Sequence, residues 1–235
     1  MTSPVLDSHV HFFVPGLSYG WAKGRHFDGP PPAYDAVRPG AAIVVEAGVD
    51  AGGELDEARG MARLAAAHDW ILGFVAPLSA GPAVRDELGA LVVGYRTTPA
   101  AASLGAAEHL PVDLLMSRDS WDAGLAIAAG SPDRAIVLDH GGGDAGADGW
   151  REFARSAAGI PNVIVKVSAS PSLQVIERVL DLFGAERAMF GSDWPVTPDP
   201  GGQLATLLGA LGASPGERRA VLTGTAERVY GVSCG

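Results

Sequence analysis

The sequence predicts an α/β fold, a (β/α)8 barrel formed by residues 1–235 as one domain. Three observations carry that prediction. Eight short apolar runs punctuate the chain, stretches of helical period separate them, and no composition break or low-complexity linker divides the 235 residues. Most runs are near-continuous in Val, Ile, Leu, Phe and Ala, as in strands covered on both faces. Repeated strand–helix alternation implies parallel strands with right-handed crossovers, and eight of them favour a closed barrel over an open sheet. The GxGxxG turn of a dinucleotide-binding sheet is absent after the first run.

The predicted strands are residues 5–11, 42–47, 71–77, 91–96, 112–116, 135–140, 163–168 and 188–193. Helical patterns are clear over 53–68, 148–158, 172–183 and 214–230, and weaker over 82–89, 100–109 and 119–129. Ser214-Pro215-Gly216-Glu217 has the capping-box pattern, with Ser at the N-cap, Pro at the first helical position and Glu at the third. Ser131-Pro132-Asp133 and Ser170-Pro171 mark breaks. The Gly/Pro-rich segment 15–39 reads as a long loop hanging over the barrel mouth. Gly201-Gly202 reads as a plain turn, or as the anion-binding start of a helix.

Composition narrows the function. The formal net charge of −10 argues against a nucleic-acid or anionic-membrane partner, because both reward a basic surface. One cysteine, Cys234, excludes a disulfide framework within the chain and fits a reducing compartment. The first residues lack the basic and apolar regions of a secretory signal, and no apolar run reaches the roughly 18 residues of a membrane helix. The expected protein is cytoplasmic and acts on a small molecule, with homo-oligomerisation left open.

Chemistry-bearing residues gather at strand ends. His9 and His11 lie two apart on the first strand, so they share one face, roughly 6–7 Å apart along it. At the carboxyl end of a barrel strand that face looks into the mouth, where barrel active sites are built. Asp193 closes the last run before Trp194-Pro195; burying it is costly unless it meets a metal, a water or a cation. His140 ends the sixth run, and the three glycines after it free the backbone for close approach to a ligand. Arg96 and Lys166 stand near the ends of the fourth and seventh runs. Each either binds a carboxylated or hydroxyl-rich substrate or pairs with strand-end acids such as Glu46 or Asp139. Glu46 either orients a ligand or pairs with Arg96, and Trp194 is a candidate for the pocket wall. Arg118 and His26 are weaker substrate candidates. His68 and His109 read as surface residues, and Trp21, Trp70, Trp121 and Trp150 as packing.

These residues resemble the amidohydrolase superfamily. The motifs are His9-Val10-His11, His140-Gly141-Gly142 and, most specifically, Phe190-Gly191-Ser192-Asp193-Trp194-Pro195-Val196. Val93-Gly94-Tyr95-Arg96, Leu110-Pro111-Val112-Asp113-Leu114-Leu115 and Val165-Lys166-Val167-Ser168 extend the likeness along the chain, in order. Within the superfamily they look like the amidohydrolase 2 branch of sugar-acid lactonases, 2-pyrone-4,6-dicarboxylate lactonase and related decarboxylases.

The resemblance implies a distorted barrel with a water-activating site at its mouth. His9, His11 and Asp193 match metal-binding or substrate-polarising positions. His140 matches the histidine that orients water or polarises the scissile carbonyl, and Asp193 matches the general base. The fourth strand offers Arg96-Thr97-Thr98 and no lysine to bridge two metals; the fifth ends Leu114-Leu115-Met116-Ser117 without the histidine of the decarboxylases. Three protein ligands remain, enough for one divalent ion, zinc first, while some relatives act without metal. The expected activity is hydrolysis of a lactone or cyclic ester of a small carboxylated or polyhydroxylated molecule. The alternatives are a metal-dependent decarboxylase and a catalytically degenerate, metabolite-binding barrel.

Overall fold

The computed structural model describes residues 4–23, 31–101, 103–212 and 214–234. His26 and part of the expected 15–39 loop lie outside the described residues. Eight strands follow one another in chain order: β1 (Leu6–Val10), β2 (Ala41–Val45), β3 (Ile71–Pro77), β4 (Val92–Thr97), β5 (Val112–Leu114), β6 (Ile136–Leu138), β7 (Val163–Val167) and β8 (Ala188–Phe190). Each pairs in parallel with the next. The barrel nearly closes just past the strand ends. The Asp193 N–H donates to the His9 carbonyl, and the His11 N–H to the Trp194 carbonyl, both at 2.8 Å.

Alternation along the strands sorts side chains into two apolar clusters and one polar layer. Val163, Val165 and Val167 of β7, like Val112 and Leu114 of β5, pack outward into the large core shared with the helices. Ile164 faces inward with Leu6, Ile43, Val45, Val75, Val93, Val137 and Met189. Ala226 and Tyr230 close this inner floor from the C-terminal helix. Burial of each large aliphatic chain stabilises the fold by roughly 1.5–3 kcal/mol. Above the floor the inward positions turn polar: Asp113, Asp139 and Lys166, all buried.

Around the barrel run α1 (Pro31–Asp35), α2 (Glu54–Ala67), α3 (Pro82–Leu88), α4 (Trp121–Ala129), α5 (Trp150–Ala158), α6 (Leu173–Phe183), α7 (Pro200–Ala210), α8 (Pro215–Arg219) and α9 (Thr225–Tyr230). The α6 sequence explains itself. Ser172 Oγ accepts the Val175 N–H at 3.3 Å, and Val175, Ile176, Val179 and Phe183 form one buried stripe.

Three expectations need correction. The described residues of 100–109 form no α-helix: short 3₁₀ turns at Pro99–Ala101 and Leu104–Ala107 cross between β4 and β5. The helix expected over 214–230 changes pitch, with a π-helical stretch at Ala220–Gly224 between α8 and α9. Gly201 and Gly202 lie in the first turn of α7, where Asp199 Oδ1 accepts the Gly202 N–H at 2.9 Å. A carboxylate therefore occupies the place an anion would take.

Candidate active site

Four side chains from three strand ends converge at the closure between β8 and β1. His9 Nε2 lies 3.1 Å from His11 Nε2 and 3.7 Å from Asp193 Oδ1. Asp193 Oδ1 is also 3.4 Å from His11 Nε2 and 3.8 Å from His140 Nε2. His9 on β1 and His11 just past its end lie two apart and so turn their rings to the same space. His140 and Asp193 reach it through left-handed backbone, at φ +53° and φ +61°. Non-glycine residues seldom hold that conformation, and it commonly marks sites whose geometry is over-determined by the surroundings.

The glycines after His140 serve packing. Gly142 and Gly143 both have positive φ, and a Cβ would run into the Phe153 ring at Gly142 and the Met116 carbonyl at Gly143. They let the turn lie flat on its neighbours.

Each histidine is braced at its other ring nitrogen. His11 Nδ1 is 3.0 Å from the Val45 carbonyl, an acceptor only, so Nδ1 carries the hydrogen and Nε2 a lone pair. His140 Nδ1 lies 2.8 Å from Ser168 Oγ, and His9 Nδ1 lies 3.2 Å from Asp139 Oδ1. Burial pushes the His9 imidazole well below its ordinary pKa, although Asp139 opposes it. Burial also lowers that of His140 against the pull of Asp193. Burial would raise Asp193, but the surrounding imidazoles of His11, His140 and His9 hold it at about 2. An ionised carboxylate thus sits among buried imidazoles.

The donor set fits a divalent ion. Donor atoms of His9, His140 and Asp193 all lie within 4.8 Å of one another, and His11 Nε2 stands beside them. Ligand atoms around a tetrahedral zinc, at about 2.0–2.2 Å from the metal, are themselves about 3.3 Å apart. The spacings of 3.1 to 3.8 Å bracket that value.

The other expected site residues are committed inside the protein. Arg96 is 8% exposed; its Nε donates to Asp139 Oδ2 at 2.9 Å and its Nη1 to Glu46 Oε1 at 3.1 Å. Glu46 also accepts the Gly48 N–H at 2.6 Å. Lys166 is wholly buried, donates to Asp113 Oδ2 and stands 3.4 Å from Asp139 Oδ1. Trp194 packs against Phe12 and Tyr34, with ring centroids 5.8 and 5.1 Å away. Between substrate binding and ion pairing, the structure gives both buried cations acidic partners. Trp21, expected to pack, is 46% exposed, and its indole N–H donates to the Ala47 carbonyl at 2.7 Å.

Four buried acids escaped the reading of the sequence as site residues: Asp7, Glu57, Asp113 and Asp139. Asp113 was visible as a charge between Val112 and Leu114 in a strand, and Asp139 as the neighbour of His140. Tyr230 sends its hydroxyl from α9 to both Asp113 oxygens, at 2.8 and 3.0 Å.

Comparisons with known proteins point to one family. A family model described as amidohydrolase matches residues 106–232. The L-fucono-1,5-lactonase of Burkholderia multivorans is 34% identical over 125 residues, 40% of this chain and 42% of that protein. The match therefore spans well under half of that curated relative. A crystal structure of an amidohydrolase from Burkholderia multivorans with bound zinc superposes at TM-score 0.81 and 26% identity, covering 98% of this chain and 100% of the other. A Pseudomonas putida protein assigned as a 2-pyrone-4,6-dicarboxylic acid hydrolase superposes at TM-score 0.73 and 25% identity, covering 98% of each chain.

Proposed function

Because this chain belongs to the amidohydrolase family, we propose that it is a hydrolase that opens a lactone of a small polyhydroxylated acid by water attack at the barrel mouth. The observation that carries this reading is the convergence of His9, His11, His140 and Asp193 at the barrel closure. An acyl-transfer site needs an ionised base beside groups that can polarise a carbonyl, and this set provides both.

Asp193, ionised at neutral pH, accepts a proton from the attacking water as the water oxygen bonds to the lactone carbonyl carbon. His140, whose side chain is 18% exposed, is the most accessible of the three imidazoles and faces the carbonyl. When the ring C–O bond breaks, the leaving alkoxide takes the proton back from Asp193. His9, His11 and Asp193, with His140 beside them, are the residues that would hold a zinc ion. Bound there, the ion would act as a Lewis acid on the carbonyl.

The two buried cations bear on the substrate. Binding a substrate carboxylate through Arg96 or Lys166 would mean breaking ion pairs already made with Glu46, Asp139 and Asp113. A neutral, hydroxyl-bearing lactone asks for no such exchange, which favours it over a dicarboxylated pyrone.

The test is Asp193→Asn assayed on a panel of neutral sugar-acid lactones and 2-pyrone-4,6-dicarboxylate. Hydrolysis of a neutral lactone by the wild type is expected to fall about 10²–10⁴-fold in the variant at unchanged Tm. Near wild-type turnover by the variant would overturn the mechanism, and preferential hydrolysis of the dicarboxylate would overturn the substrate class.

A further inference from the structure

The His9 ring is fully buried, and its two nitrogens face different surroundings. Nε2 looks toward the mouth, at His11 and Asp193. Nδ1 looks into the polar layer, 3.2 Å from Asp139 Oδ1 and 3.4 Å from Lys166 Nζ. These two neighbours make opposite demands. A carboxylate oxygen requires Nδ1 to carry the hydrogen, whereas an ammonium requires it to offer a lone pair.

The contacts around them decide between the two. Asp139 Oδ1 is buried and makes no hydrogen bond as it stands; His9 Nδ1 at 3.2 Å and Lys166 Nζ at 3.4 Å are the nitrogens beside it, and the ring is the nearer. A buried acceptor left unmatched is costly, and more so when charged. The other oxygen, Oδ2, accepts from Arg96 Nε at 2.9 Å, which fixes the plane of the carboxylate. Lys166 turns its closest contact to Asp113 Oδ2, and the Tyr230 hydroxyl pins Asp113 from below. The ammonium is thereby drawn away from the imidazole.

We infer that Asp139, its plane set by Arg96, fixes His9 in the tautomer with its hydrogen on Nδ1. Asp139 is a positioning residue: it acts through His9 and touches no substrate. The consequence reaches the mouth. His9 Nε2 then carries a lone pair, as His11 Nε2 does, and the two lone pairs face each other across 3.1 Å. That arrangement invites a cation between them, and outer carboxylates of this kind orient ligating histidines in metal sites. The catalytic relevance rests on the lactonase reading; the tautomer itself does not.

The experiment is long-range ¹H–¹⁵N correlation spectroscopy on the full chain, labelled at histidine and purified in chelator. His9 is assigned by the loss of its signals in His9→Gln. The wild type is expected to show His9 protonated at Nδ1, and Lys166→Met, which removes the competing donor, to keep it there. In Asp139→Asn, Arg96 still donates to the amide oxygen, so the amide NH2 faces Nδ1 and the hydrogen moves to Nε2. Zinc affinity, measured by chelator competition, is expected to fall about 10–100-fold in that variant. A wild-type His9 protonated at Nε2 would overturn the inference, as would an Asp139→Asn protein with unchanged tautomer and unchanged zinc affinity. If Asp139→Asn does not fold, the wild-type and Lys166→Met spectra decide alone. Failure of the lactonase reading would show as absent wild-type hydrolysis and would leave these spectra untouched.

Discussion

Asp7 on the first strand accepts the backbone N–H of Ser192, just past the last strand, at 2.8 Å through Oδ1. Its second oxygen takes the Tyr34 hydroxyl at 2.7 Å. One buried carboxylate therefore fastens the two ends of the sheet and anchors the segment before β2. In Asp7→Asn, one of these two donors meets an amide NH2 instead of an acceptor. The variant is expected to lose about 1–3 kcal/mol of stability, read as a lower urea midpoint at unchanged m-value. An unchanged midpoint would show that the closure does not depend on this side chain.

Arg96 separates structure from recognition. It is the shared partner of Asp139 and Glu46, and removing one member of a buried ion pair costs about 3–5 kcal/mol. Arg96→Met is expected to lower stability by that order while leaving the KM for a neutral lactone within a factor of about two to three. A tenfold rise in KM with unchanged stability would instead put the guanidinium on the substrate.

Glu57 makes stability depend on pH. It is buried on α2, its Oε1 accepts the Ala47 N–H at 3.1 Å and its Oε2 has no hydrogen-bond partner. Burial, reinforced by Glu46, pushes its carboxyl up to about 8 from an ordinary 4.5. The folded protein keeps this proton where the unfolded chain has released it. The contribution is complete below 4.5 and is lost as pH rises toward 8, beyond which it is flat. Thermal unfolding between pH 5 and 8 should show Tm falling less in Glu57→Gln than in the wild type. Parallel curves would refute the assignment.

Zinc should stabilise the fold by mass action. At a hundredfold excess over Kd a ligand that binds only the native state adds about 2.7 kcal/mol, several degrees of Tm in a chain of this size. Differential scanning fluorimetry with zinc against chelator should show that rise in the wild type and lose it in Asp193→Ala. No rise in the wild type would remove the metal from the site.

The strands were legible because most are near-continuous runs of apolar residues, and local composition records that. The clustering of His9, His11, His140 and Asp193 was legible because a parallel barrel puts every strand's carboxyl end at one mouth. Of the acids beneath, Asp139 was read only as a partner for Arg96 or Lys166, which it is, and Asp113 was not read as a partner at all. Asp113 is recognised only through Lys166, 53 residues on, and Tyr230, 117 residues on. Such pairings depend on the inward face of several strands at once, which no local period encodes. Helix α7 hid behind Gly201-Gly202, although Asp199-Pro200 carried its capping signal. The helix expected over 100–109 failed because a short crossover between Pro99 and Pro111 is filled by tight turns.

His9 and Asp193 belong to opposite ends of the barrel's building order, and this gives the site a clock. At synthesis rates of about 5–20 residues per second, roughly ten to forty seconds separate the two residues on the ribosome. Through that interval the histidines of β1 exist without their carboxylate partner. Neither a growing chain nor a barrel missing its eighth strand can assemble the full set of donors. The candidate site is thus complete only once the eighth strand has closed against the first, with α7, α8 and α9 still to follow in the chain.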